Sequence, residues 1–127
     1  MIKASIGIAA ALAGVLASTA ASAQDVGDWV LSRWQGSSQY FPGVVVGRTG
    51  NQVKIQFDDG DVSVVSVNAV RQFDWVEGSA VECRWSDGQW YAARIRWISD
   101  NGRTMQVRYD DDGTVERTDT GKCRAGY

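Results

Sequence analysis

The chain is 127 residues long, carries a formal charge of −2 and contains no histidine. A slightly acidic balance excludes the strongly basic surface that nucleic-acid binding requires. The missing imidazole removes the usual general base of an enzyme working at neutral pH.

The N-terminus opens with one positive charge at Lys3, followed by a small, Ala-rich apolar run from Ala4 to Ala17. Ala21-Ser-Ala23 then supplies an A-x-A-like cleavage site, so residues 1–23 read as a signal peptide cleaved after Ala23. The run is too short and too rich in alanine to span a bilayer, and no stop-transfer charges follow it. The expectation is a periplasmic or secreted protein with no membrane span after cleavage. About a hundred residues remain, enough for one modest domain or two very small ones. Losing Lys3 takes the formal charge from −2 to −3.

Short strands come next in quick succession. Gly27 to Trp34 alternates, with Val30, Ser32 and Trp34 on one face. A polar loop around Gly36 leads to a second strand from Tyr40 through Val44, Val45 and Val46. The third, Gln52 to Phe57, puts Val53, Ile55 and Phe57 at every second residue and runs into Asp58-Asp-Gly60. That period of two is a half-buried strand ending in a carboxylate–glycine turn. Val62 to Val67 and a minimal strand near Val70 complete five strands in about fifty residues, the pattern of a small closed or nearly closed barrel.

After Phe73-Asp-Trp-Val76 the pattern restarts. Gly78 to Trp85 repeats Gly27 to Trp34, and Trp90 to Trp97 repeats the second strand. Met105, Val107 and Tyr109 repeat Val53, Ile55 and Phe57 ahead of Asp110-Asp-Asp-Gly113. Such a repeat predicts two units, 24–72 and 77–127. Phe73, Trp75 and Val76 are too aromatic a connector for a floppy linker and read as packing between the units. Arginines 84, 94, 96 and 108 alternate with apolar residues and read as a solvated strand face. Two cysteines, Cys83 and Cys123, are an even count in an exported chain, which favours a disulfide over a metal site or free thiols. No zinc spacing is present.

Laid out in order, these residues resemble tandem Tudor or Agenet-type domains, members of the SH3-like barrels. The motifs are Arg33-Trp34, Phe41-Pro-Gly43 and Phe57-Asp-Asp-Gly60 in the first unit. In the second they are Arg84-Trp85, Tyr91-Ala-Ala93 and Tyr109-Asp-Asp111. The resemblance covers nearly all of the chain beyond residue 23. It implies an all-β fold of two small five-stranded barrels in tandem after a signal peptide. It also implies aromatic cages for a methylated ammonium or guanidinium group: Trp34, Phe41, Phe57 and Asp59 in the first unit, and Trp85, Tyr91, Tyr109 and Asp111 in the second. Where fuller cages hold another aromatic or Asn past the acidic turn, this chain has Asp61 and Asp112. In such a barrel the first and last strands lie side by side, which implies a Cys83–Cys123 bridge stapling the second unit.

The sequence therefore points to a non-enzymatic binding module with a protein or peptide partner, no cofactor and no metal. Asp110-Asp-Asp-Gly113 lacks the alternating oxygens and terminal Glu of a calcium loop. The alternative is a structural or envelope-interaction protein whose barrels pack on a partner without a small ligand. Exposed rings at Trp34 or Trp85 would favour the first reading and occluded rings the second. Ligand identity and oligomeric state have no signal in the sequence.

Overall fold

The computed structural model describes residues 24–34 and 36–126, and the signal-peptide pattern lies outside the described residues. Among the described residues ten strands follow in chain order. Five build the first unit: β1 (Trp29–Arg33), β2 (Tyr40–Thr49), β3 (Gln52–Phe57), β4 (Val62–Ser66) and β5 (Val70–Gln72). Five build the second: β6 (Ala80–Arg84), β7 (Trp90–Ile98), β8 (Thr104–Tyr109), β9 (Val115–Asp119) and β10 (Cys123–Arg124). All pairings are antiparallel, in the orders β4-β3-β2-β1-β5 and β9-β8-β7-β6-β10. The two sheets thus share one connectivity, each drawn from its own half of the chain. Even the irregularity repeats, with a register shift at Val45/Gly47 in β2 and at Ile95/Trp97 in β7. Such a bulge bends a long strand so that one sheet can curl on itself.

The period of two in the sequence is the period of burial. Val53, Ile55 and Phe57 point inward from β3, and Met105, Val107 and Tyr109 inward from β8. The first core gathers Val30, Val45, Val53, Ile55, Phe57, Val65 and Val70. The second is closed by the Cys83–Cys123 disulfide, whose residues face each other in the β6–β10 register with Cα atoms 4.1 Å apart.

The units are not independent. Leu31 of β1 is fully buried in the second unit's core, not its own, and the connector's Trp75 lies beside it. Val30 and Leu31 are successive residues of one strand, so they point to opposite faces and serve opposite cores. Phe73 packs against the second core too, whereas Val76 of the connector is 60% exposed and packs against neither unit's core. Its neighbour Trp75 already fills the inward position. Tyr40 and Ala125 exchange two backbone hydrogen bonds, of 2.6 and 3.0 Å, tying β2 to the end of the second unit. A Cβ on Gly121 would stand 2.8 Å from Cβ of Asp58, so only glycine admits that close approach between the first unit's acidic turn and the second unit.

Asp58 is half-buried there, and burial pushes its carboxyl above the usual range, with Arg103 opposing the shift and Asp59 adding to it. Between the ordinary and the raised value the native state binds more protons than the unfolded chain. Stability therefore falls as pH climbs through that window. Asp58→Asn is expected to stabilise the protein at pH 7, with the gain vanishing below the ordinary carboxylate range. Urea unfolding at pH 3, 5 and 7 checks this, and a destabilised variant at pH 7 would make Asp58 a needed partner of Arg103.

Candidate functional site

The second unit brings its four sequence-nominated residues together. Trp85 follows β6 at the start of a tight turn, where its carbonyl accepts from the Gly88 N–H at 2.9 Å and its N–H donates to the Gln89 carbonyl at 3.0 Å. Tyr91 lies one residue into β7, and its hydroxyl donates to Oδ2 of Asp87 in that turn at 2.6 Å. Tyr109 ends β8, and its hydroxyl donates to Oε1 of Glu116 on β9 at 2.6 Å. The Trp85 and Tyr109 ring centroids are 5.4 Å apart at 84°, and those of Tyr91 and Tyr109 are 6.4 Å apart at 88°. Three rings meeting near right angles, with Asp87, Asp111, Asp112 and Thr114, line a cavity of about 210 Å³. Tyr109 is buried at its base, while Trp85 is 37% exposed.

The electrostatics favour positive charge. The Tyr91 hydroxyl holds the Asp87 carboxyl below the usual range, and that same bond raises Tyr91. Burial first, then the bond to Glu116, pushes Tyr109 well above the ordinary phenol value. The Thr114 backbone N–H lowers Asp112. The site thus keeps neutral rings and ionised carboxylates across neutral pH, the combination that attracts a desolvated cation to ring faces.

The first unit's residues are arranged differently. Trp34, Phe41, Phe57 and Asp59 line one wall of a larger cavity of about 860 Å³ between the units, faced by Trp85, Trp90 and β9. Phe57 is buried, Trp34 is 44% exposed, and the Phe41 ring meets Trp90 edge-on at 6.3 Å. No two of these three rings contact each other among the described residues. The second unit's rings meet at Tyr109, whereas the first unit's stand apart.

Residues 26–73 match the family model described as the DNA repair protein Crb2 Tudor domain. The solved tandem Tudor domains of Crb2 share 16% identity over 80% of this chain and 85% of theirs, with a TM-score of 0.55. The chain has the tandem Tudor-type fold, and its first unit matches the Tudor family model. The Arabidopsis thaliana AGDP1 AGD34 structure is 13% identical over 89% of both chains, with a TM-score of 0.42. The ADCP1 tandem Agenet domain 3-4 is 14% identical over 89% of this chain and 87% of that one, with a TM-score of 0.40. No curated protein sequence matches.

Each unit holds a second aromatic feature that sequence reasoning passed over. Trp90 in the second unit has the Arg124 guanidinium 4.1 Å and that of Arg84 5.4 Å from its ring centroid. Tyr40, its counterpart in the first Tudor unit, has Arg71 at 4.8 Å and Arg33 at 5.9 Å. These rings are already engaged by the chain's own cations, which separates them from Trp85, Tyr91 and Tyr109. The signal was present as an aromatic at the head of the second strand in both copies, with Arg before the preceding turn and Arg in the last strand. Asp61 and Asp112, which stand where fuller cages hold another aromatic or Asn, line the larger and the smaller cavity. Asp87 was missed as a cavity-lining group and could have been found, as an acid in the turn four residues before Tyr91. Among the described residues no three His, Cys, Asp or Glu side chains are placed to hold a metal ion, and no helix is long and apolar enough to cross a membrane.

Proposed function

We propose that the chain is a non-enzymatic binding module that takes a cationic, methylated side chain of a peptide in the cage of Trp85, Tyr91, Tyr109 and Asp111. The observation that carries this reading is the set of three rings at near right angles around a small cavity edged by carboxylates. A quaternary ammonium is too weakly hydrated to resist leaving water and too bulky for a simple ion pair, so ring faces suit it better than a lone carboxylate. Trp85 is partly exposed at the mouth, open to a ligand, as is Trp34 in the first unit. On the same reading, Trp34, Phe41, Phe57 and Asp59 are the first unit's contribution, a wall along the ligand's path.

Residues 1–23 are the signal peptide of this reading, 24–72 and 77–127 its two binding units, and the place of action is periplasmic or secreted. A buried disulfide supports an oxidising compartment, since such bonds persist mainly outside the cytosol.

The test is calorimetric titration with Nα-acetyl-Nε-trimethyllysine amide and with its neutral carbon isostere, in which a tert-butyl group replaces the trimethylammonium. The cation is expected to bind and the isostere to bind at least tenfold more weakly. Trp85→Ala removes one desolvated ring face, a loss of about 2 kcal/mol or roughly 30-fold. Being at the surface, it should leave the fold intact. Equal affinity for both probes, or an unaffected Trp85→Ala variant, would defeat the cage assignment.

A further inference from the structure

Strand β9 is an outermost strand of the second sheet, paired among the described residues only with β8. The directions of its backbone groups follow from the ladder. Tyr109 N–H donates to the Thr114 carbonyl and Thr120 N–H to the Arg103 carbonyl, at the two ends of the β8–β9 register. Hydrogen-bonded and non-bonded pairs alternate along an antiparallel ladder. Glu116 and Thr118, opposite Val107 and Met105, therefore bond back to β8. Val115 and Arg117 turn their N–H and C=O groups the other way, as Asp119 does its N–H, to an edge on which no backbone partner lies among the described residues. The Asp119 carbonyl caps the short 3-10 turn Thr120–Lys122.

This edge joins the two cavities. Thr114, the residue before β9, lines the cage, and Glu116 to Asp119 line the cleft between the units, while Trp85 borders both. Tyr109 of the cage, at the end of β8, donates its hydroxyl to Glu116 of β9. Across the cleft stand Trp34 and the carboxylates Asp59 and Asp61 of the first unit.

We propose that the peptide ligand binds by strand addition: its methylated lysine occupies the cage, and the adjoining residues run extended along β9, pairing with the outward backbone groups of Val115, Arg117 and Asp119. The proposal rests on the cage reading above and adds how the rest of the ligand is held. An unpaired strand edge offers a row of donors and acceptors that gives affinity with little regard to side chains. Five residues of β9 extend about 17 Å, room for roughly five ligand residues at the usual strand rise. The cleft's carboxylates, Asp59, Asp61, Glu116 and Asp119, outnumber its cations, Arg84, Arg117 and Lys122, and those at Asp59 and Asp61 suit a basic ligand flank.

Two probes separate this idea from the cage itself: the trimethyllysine amide, and a nine-residue peptide alternating Thr and Val about a central trimethyllysine, with Lys at both ends. The peptide is expected to bind at least tenfold more tightly than the amide. Arg117→Pro removes an N–H that β8 does not use, so an edge position tolerates it, and it should erase the peptide's advantage while leaving amide binding unchanged. Arg117→Ala loses the side chain stacked on Trp97 but keeps the N–H, and should retain the advantage. On the native protein, methylating one alternating set of peptide backbone nitrogens should abolish the gain and methylating the other set should not, an arm that stands even if the proline variant misfolds. Equal binding of peptide and amide, or an advantage that survives both proline and N-methylation, overturns strand addition and leaves the cage standing. Failure of both probes to bind overturns the cage reading and this one with it.

Discussion

Replacing Cys83 by Ser and Cys123 by Val is expected to lower the unfolding free energy by about 4 kcal/mol, the chain-entropy value for a loop of this length. The bridge closes a separation of 40 residues, nearly the whole second unit. The double substitution suits the test because the first unit already carries that pair. Ser32 of β1 stands opposite Val70 of β5 in the ladder, as Cys83 stands opposite Cys123. Ser32 is fully buried and its hydroxyl donates to the Arg33 carbonyl at 2.9 Å. The variant thus imports a pairing this fold accommodates and removes only the cross-link. Urea unfolding of the oxidised parent and of the variant gives the difference directly. A loss below about 1 kcal/mol would mean that packing, not the cross-link, holds the second unit, since removing a native bridge from a small domain ordinarily costs 2–5 kcal/mol.

The repeat made most of this fold legible. An apolar residue at every second position, ending in an acidic glycine turn, states a half-buried strand with its turn. Two ordered copies of that statement gave the strands of both units, and the resemblance they carry implied the adjacent first and last strands that bring the cysteines face to face. The grouping of Trp85, Tyr91 and Tyr109 was legible through the same resemblance, because the repeat places each ring at or beside a strand end. Where the copies were treated as equivalent, reasoning fell short. Trp34, Phe41 and Phe57 match the second cage in sequence, yet they line a wall, since the second unit covers that side and places Trp90 against Phe41. Val76 was read as packing and is exposed, because a strand-like connector turns successive side chains to opposite sides and Trp75 takes the inner one. Pairing of the units leaves its trace in the differences between copies. Leu31 corresponds to Glu82, which is half-buried and bridged to Arg124 at 3.0 Å. An apolar residue where the other copy has a charge marks a face that only one copy buries.

Leu31 should therefore behave as a residue of the unit it does not belong to. Leu31→Ala is expected to cost about 3 kcal/mol, within the 2–5 kcal/mol that such truncations cost in a packed core. Its signature is where the loss occurs. Leu31 is fully buried in the cluster that holds Trp75, Val81, Cys83, Ala93, Ile95 and Cys123, so the cavity opens in the second unit's core. Native-state hydrogen exchange should show amides of β6, β7 and β8 losing protection although the substitution is on β1. Val30→Ala, one residue earlier, opens the first core instead and should weaken protection in β2, β3 and β4. If Leu31→Ala were felt only in the first unit, or cost less than about 1 kcal/mol against that expected range, the two Tudor units would be neighbours and not one packed body. The cleft between them, and any ligand held along β9, would then lack a fixed opposite wall.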